Sequence, residues 1–122
     1  MPTYSVVVPA YNEEAVVPEL VVRLADLLDA LDGEAEAILV DDGSSDRTYD
    51  LMVESTAKDP RFRLVRLSRN FGHQIALTAG ADLAAGDAVV LMDADLQHPP
   101  NVVLELARRW GEGYDVVYAV RE

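Results

Sequence analysis

The sequence contains no cysteine and is poor in basic residues. Its 122 residues include 10 Lys and Arg against 22 Asp and Glu, which gives a formal net charge of −12. Without cysteine the chain can form no disulfide framework and perform no thiolate chemistry, which is typical of a reducing compartment. The shortage of basic side chains argues against a surface for nucleic acid or for an anionic membrane, since both need basic patches. We therefore expect a cytoplasmic protein that binds no nucleic acid.

Long hydrophobic runs and two common phosphate-binding motifs are also missing. Residues 1–4 lack the basic and apolar regions of a secretion signal, and the apolar run at residues 6–8 is too short to span a bilayer. No G-x-G-x-x-G follows the first apolar run and no G-x-x-x-x-G-K-[ST] occurs, which excludes a dinucleotide fingerprint and a P-loop. The length suits a single domain over residues 1–122.

Five short apolar runs alternate with segments of helical periodicity. This alternation predicts an α/β fold, in which helices cover both faces of a mainly parallel sheet. Ligands of such sheets bind beyond the carboxyl ends of the strands. The predicted strands are 4–8, 37–40, 63–67, 88–92 and 115–120. The predicted helices are 17–31, a second from the 42–46 turn to about 58, a third from about 75 that ends near Gly86, and a fourth that begins at 99–100.

The most informative stretch is residues 88–97, in which an apolar run leads to Asp93 and Asp95. Alternate side chains of an extended chain share a face, so Asp93, Asp95 and Gln97 can point the same way. Carboxylate and amide oxygens suit Mg²⁺ or Mn²⁺ better than zinc, and these ions usually complete their shell with water and substrate phosphates. The stretch predicts a metal site for a nucleoside diphosphate. The alternative is that the two Asp residues begin an ordinary turn after a buried strand.

A second candidate site follows the first predicted strand, at residues 9–14. We expect Pro9 to end the strand, because proline cannot donate to a strand ladder. Tyr11 offers a flat face for a base, and Glu13 offers an acceptor for a base or a ribose. The segment could therefore form a nucleoside pocket. The alternative is a plain helix start with Asn12 as N-cap.

Two adjacent carboxylates, Asp41 and Asp42, end the second predicted strand. Neighbouring side chains of a strand point to opposite faces, so one carboxylate can cap the local turn while the other accepts hydrogen bonds from a base. We predict that Asp42 meets the base. The alternative is an Asp-Gly turn capped by the serines that follow.

Three ordered motifs resemble the inverting family 2 glycosyltransferases of the GT-A fold, and the resemblance covers essentially the whole chain. They lie at residues 6–14, 40–46 and 92–97. The resemblance implies a Rossmann-like nucleotide-binding half and a nucleotide diphosphate sugar as partner. It also implies a metal, Mg²⁺ or Mn²⁺, held by Asp93, Asp95 and Gln97, with Asp93 and Asp95 as the catalytic pair. The residues implied to hold the donor are Pro9, Tyr11, Glu13, Val40 and Asp42 for the nucleoside, and Asp93, Ala94 and Arg121 for the nucleotide sugar.

Residues 68–72 and 95–100 are most similar to the polyprenyl-phosphate branch, which includes dolichyl-phosphate mannose synthase. The branch implies transfer of a UDP- or GDP-linked sugar, with inversion, to a lipid phosphate on the cytoplasmic face of a membrane. Such a phosphate, with a second pKa of about 6, is already ionised and needs no strong general base. Family members continue past Arg121 with an acceptor-binding half. We therefore expect this chain to be the donor half of a longer protein.

Two other functions compete with this one. A haloacid-dehalogenase-type phosphatase also ends an apolar strand in D-x-D, but there the motif follows the first strand, whereas here it follows the fourth and continues with Gln97. The second alternative is a nucleotide-binding fragment without catalytic activity.

Overall fold

A computed structural model describes residues 3–31, 33–92 and 94, together with the backbone of residues 117–118. Strands and helices alternate along this part of the chain, as the sequence predicts. The elements are β1 (Thr3–Ala10), α1 (Val17–Ala30), β2 (Glu34–Asp41), α2 (Thr48–Thr56), β3 (Phe62–Arg66), α3 (His73–Leu83), β4 (Ala88–Leu91) and β5 (Val117–Tyr118). No helix among the described residues is both long and apolar enough to cross a membrane.

The strands form one sheet in the order β3-β2-β1-β4-β5, and every neighbouring pair is parallel. The predicted parallel sheet is therefore confirmed. The chain moves outward from β1 to β3 and then crosses back to place β4 on the other side of β1. This reversal creates a switch point between the carboxyl ends of β1 and β4, which is where open α/β sheets bind their ligands.

Helices cover both faces of the sheet, also as predicted. On one face, Val6 and Val8 of β1 lie in a core cluster with the apolar side chains of α1 and with Met52 of α2. On the other face, Val7 packs in a second cluster with the apolar side of α3. The fit against α3 is close, because a Cβ on Gly80 would lie 2.4 Å from Cγ1 of Val7. Successive side chains of β1 are thus buried on opposite faces of the sheet, so this one strand contributes to both cores.

β1 runs further than the sequence predicts. Pro9 does not end the strand, as we expected, but lies inside it and pairs in register with Val40, and the strand continues to Ala10. β2 likewise begins at Glu34, three residues before its predicted start at 37.

The backbone directions explain why Pro9 is tolerated there. Residues of a strand bond to their two neighbours alternately: the carbonyl of Val7 accepts the Met92 N–H at 2.9 Å, and the carbonyl of Ala10 accepts the Asp42 N–H at 2.9 Å. By this alternation the nitrogen of Pro9 faces the β4 side, where the last paired residue of β4 lies opposite Val7. The missing N–H of Pro9 therefore costs the ladder no bond.

The predicted helices are confirmed with small shifts at their ends. α1 begins at Val17 as predicted, and Val16 occupies its N-cap position. The alternative in which Asn12 caps this helix is wrong, because Asn12 lies at a left-handed φ of 51° well before the helix and uses its side chain elsewhere. α2 ends at Thr56, two residues earlier than predicted, and α3 ends at Leu83, before its predicted end near Gly86. The helix predicted from 99–100 lies outside the described residues.

Candidate functional site

Asp42 connects the loops that follow β2 and β3 at the carboxyl edge, the edge of the sheet at which its strands end. Its side chain is buried, with 3% of the residue exposed. Oδ1 accepts the N–H of Phe71 at 2.9 Å, and Oδ2 accepts the N–H of Gly72 at 3.2 Å. Each oxygen keeps a second lone pair for another donor. The carboxylate predicted to meet a base is thus already bound to two protein amides.

Asp41 points the other way and caps the local turn, as the alternation predicts. The residue is fully buried, and its Oδ1 accepts the N–H of Ser44 at 3.1 Å. Its Oδ2 accepts no hydrogen bond within the described part of the chain, although Nε of Arg66 lies 3.7 Å away. The guanidinium of Arg66 stacks 4.7 Å from the ring centre of Tyr49. The two adjacent carboxylates therefore hold different loops.

Gly43 brings the loop after β3 into direct backbone contact with the loop after β2. It adopts a φ of +72°, which L side chains rarely adopt. A Cβ at this position would lie 2.2 Å from the carbonyl carbon of Arg69 and 2.4 Å from the nitrogen of Asn70. Only glycine allows this approach.

The loop after β1 is joined to the loop after β2 by hydrogen bonds in both directions. The N–H of Asn12 donates to Oγ of Ser44 at 2.9 Å, and its Oδ1 accepts the N–H of Ser45 at 2.9 Å. The N–H of Glu13 donates to Oγ1 of Thr48 at 2.8 Å. These bonds leave the side chain of Glu13 without a hydrogen-bond partner among the described residues, so its carboxylate is available to a ligand.

Asp46 and Glu14 extend the same connection. Oδ2 of Asp46 accepts the N–H of Glu14 at 3.3 Å, and Oε2 of Glu14 accepts the N–H of Arg47 at 3.1 Å. Burial alone raises the pKa of Asp46, but the hydrogen bonds from the hydroxyl and N–H of Thr48 and from the N–H of Glu14 bring this pKa below its ordinary value. Asp46 therefore stays ionised and accepts hydrogen bonds both from the loop after β1 and from the start of α2.

The predicted nucleoside residues lie together at this edge. Pro9 and Val40 are buried and pair in register in neighbouring strands, and the Val40 side chain packs in the second core cluster with Val7. Tyr11 is 45% exposed and presents its ring to solvent. Glu13 is half-buried beside it in the chain. Sequence reasoning missed the roles of Asn12, Thr48 and the amides of Phe71 and Gly72, because a contact between loops leaves no local pattern.

The predicted metal motif falls largely beyond what the structure describes. Met92 and Ala94, the sequence neighbours of Asp93, are 8% and 5% exposed, and the N–H of Met92 bonds to β1. Among the residues described, no three acidic or histidine side chains cluster as a metal site. The predicted residues that lie outside the described ranges are Asp93, Asp95, Gln97 and Arg121.

Comparison with known proteins relates this chain to glycosyltransferases. The family described as "Glycosyl transferase family 2" matches residues 5–122. The chain is 52% identical over 118 residues to the uncharacterized glycosyltransferase YkcC of Bacillus subtilis (strain 168). The matched segment covers 97% of this chain and 36% of that protein. The chain thus spans about a third of the length of this curated relative. The match leaves the phosphatase alternative without support.

Two solved structures show the same fold with bound nucleotides. The mannosyltransferase PcManGT from Pyrobaculum calidifontis, in complex with GDP-Man and Mn²⁺, is 26% identical, with a TM-score of 0.76 over 88% of this chain and 32% of that one. Glucosyl-3-phosphoglycerate synthase from Mycobacterium tuberculosis, in complex with Mn²⁺, UDP and glucosyl-3-phosphoglycerate, is 31% identical, with a TM-score of 0.70 over 89% of this chain and 39% of that one.

Proposed function

Because this chain belongs to glycosyl transferase family 2, we propose that it binds a UDP- or GDP-linked sugar together with a divalent metal ion. The proposal depends on how the loops at the carboxyl edge are joined. There, the loops after β1, β2 and β3 are joined by hydrogen bonds into one surface beside the end of β4. A pocket assembled before the ligand arrives binds it at a lower entropic cost.

The nucleoside lies on this surface. The exposed ring of Tyr11 stacks on the base, and the free carboxylate of Glu13 accepts a hydrogen bond from the base or the ribose. Asp42 uses its remaining lone pairs as acceptors for the base. In this proposal Pro9 and Val40, which pair in register at the ends of β1 and β2, complete the nucleoside site.

The diphosphate and the sugar lie toward the end of β4. Asp93, Asp95 and Gln97 follow this strand and offer only hard oxygen donors, a set that fits Mg²⁺ or Mn²⁺. When bound, such an ion supplies positive charge beside the diphosphate oxygens on which negative charge develops. Ala94 and Arg121 orient the nucleotide sugar in this proposal.

In the whole protein, the acceptor that we propose is a polyprenyl phosphate. A phosphate oxygen of the lipid attacks the anomeric carbon on the face opposite the diphosphate, so the new bond forms as the bond to the nucleoside diphosphate breaks, and the carbon is inverted. The similarity of residues 68–72 and 95–100 to the polyprenyl-phosphate branch supports this acceptor. Binding of the donor alone requires none of these later steps.

Calorimetric titration of the chain with UDP and with GDP, each in the presence and absence of Mn²⁺, tests the proposal. We expect one of the two to bind, and to bind more tightly with the metal. Asp95→Asn should remove the metal dependence, whereas Glu36→Gln, at the opposite edge of the sheet, should leave it unchanged. A folded sample that binds neither nucleotide with Mn²⁺ contradicts the proposal.

A further inference from the structure

The amides of Phe71 and Gly72 find their acceptors in one side chain rather than in the backbone. Before them, the N–H of Leu67 donates to the carbonyl of Asp41; after them, the N–H of Ala76 donates to the carbonyl of Gly72 and begins the α3 ladder. Between these two bonds, the carboxylate of Asp42 accepts two successive amides, at 2.9 and 3.2 Å. Hydrogen bonds to an ionised acceptor are among the stronger ones in proteins.

The remaining contacts of this segment depend on glycine. We call residues 69–72 the 69–72 loop. Its first half lies against Gly43 through the backbone of Arg69, and its last residue, Gly72, adopts a φ of +102°. No heavy atom outside its chain neighbours lies within 4 Å of a Cβ built on Gly72, so a methyl group there would meet open space. Asp42 restrains the end of the loop that enters α3 through its bonds to the Phe71 and Gly72 N–H groups.

The 69–72 loop presents two side chains at the carboxyl edge. The guanidinium of Arg69 stacks 4.4 Å from the ring centre of Phe71, and 36% of Phe71 is exposed. Phe71 is tied to Asp42 through its own N–H, and the backbone of Arg69 lies against Gly43, the residue after Asp42.

We infer that Asp42 is a positioning residue, whose carboxylate holds the 69–72 loop in place as one side of the nucleotide pocket before any ligand binds. The identity of the ligand rests on the proposed function. The restraint on the loop does not, because it is present in the protein without a ligand. A carboxylate that only contacts the base would leave the loop unchanged when substituted.

Asp42→Asn tests the restraint with little change in shape. The amide keeps one acceptor oxygen and replaces the other with a donor, so one of the Phe71 and Gly72 N–H groups then faces a donor in place of its acceptor. We expect hydrogen exchange of these two amides, measured without ligand, to accelerate about tenfold or more. Glu36→Gln is the matched control, because it weakens an acceptor of the Ala85 N–H at the opposite edge. It should leave exchange at residues 71 and 72 unchanged.

Gly72→Ala disturbs the same loop while leaving the Asp42 carboxylate intact. An L residue is strained at a φ of +102°, although a methyl group has room there. If Asp42 acts through the loop, both Asp42→Asn and Gly72→Ala should speed exchange at Phe71 and should raise the Kd for UDP or GDP with Mn²⁺ about tenfold or more.

Three results would overturn the inference. The first is a raised Kd in Asp42→Asn with unchanged exchange in the free protein, which would make the carboxylate a base contact only. The second is faster exchange in Gly72→Ala with an unchanged Kd, which would mean that the loop is not part of the pocket. The third is unchanged exchange in both variants. Failure of the parent chain to bind either nucleotide contradicts the proposed function instead, and the exchange rates still report on the restraint.

Discussion

A Cβ on Gly43 would lie 2.2 Å from the carbonyl carbon of Arg69, so at this point the loops after β2 and β3 touch through backbone atoms. Backbone atoms cannot move aside as a flexible side chain can. The contact, together with the bonds that Asp42 accepts, makes the two loops one structural unit at the carboxyl edge.

The first prediction concerns this contact. Gly43→Ala combines a φ of +72° with a backbone clash, and we expect a loss of about 3 kcal/mol or more in the free energy of unfolding. Gly72→Ala is the matched control, since it has open space at a φ of +102° and should lose about 1–3 kcal/mol. Urea unfolding of both variants measures the two losses. Equal losses would mean that the approach of Arg69 to Gly43 is not tight.

The second prediction concerns Asn12, which adopts a φ of 51° and accepts the Ser45 N–H through its side chain. Asn12→Ala removes the acceptor and disfavours the left-handed backbone, so we expect a loss of about 1–2 kcal/mol in the free energy of unfolding. Asn12→Gly keeps the backbone conformation and loses only the side-chain bond. Urea unfolding should therefore rank the parent above Asn12→Gly and Asn12→Ala last. An Asn12→Ala variant as stable as the parent would show that the Asn12 side-chain bond contributes nothing to stability.

The third prediction is a pH dependence at the amino edge of the sheet. Burial raises the pKa of Glu36, but hydrogen bonds from Ser5, the Ala85 N–H and Arg63 outweigh burial and lower this pKa below its ordinary value. A carboxylate whose folded pKa is lowered stabilises the fold fully above its unfolded pKa, about 4.3, and loses that contribution as pH falls through the folded value.

Comparison of the parent with Glu36→Gln measures this contribution. The difference in free energy of unfolding should stay constant from pH 7 down to about 5.5 and shrink below about 4.3. Glu19→Gln, at an exposed pair with Arg23, serves as the control and should show no comparable change. A Glu36→Gln difference that persists unchanged at pH 3 would contradict the lowered pKa.

The sheet, its parallel strands and the two helical layers could be predicted from the sequence, because they follow from apolar periodicity. Val6, Val7 and Val8 form an uninterrupted apolar run, and a strand buried on both faces needs such a run. The extension of β1 through Pro9 could not be predicted. It depends on where β4 ends, which is a property of the assembled sheet.

The site could be predicted only in part, for a similar reason. Strand ends locate Tyr11, Glu13 and Asp42 at one edge, since all parallel strands end there. The bonds from Asp42 to the amides of Phe71 and Gly72 cross about 30 residues of sequence and involve backbone donors. No residue type marks such donors, so no sequence pattern could reveal them.

Linked titrations test whether metal and nucleotide share one site at the carboxyl edge, as we propose. Mn²⁺ is titrated into the chain with and without saturating UDP or GDP, and each nucleotide is titrated with and without saturating Mn²⁺. We expect the metal to raise nucleotide affinity and the nucleotide to raise metal affinity by the same factor, as linkage requires. Asp95→Asn should bring both factors close to one. Nucleotide binding that is equally tight with and without Mn²⁺ would contradict the account.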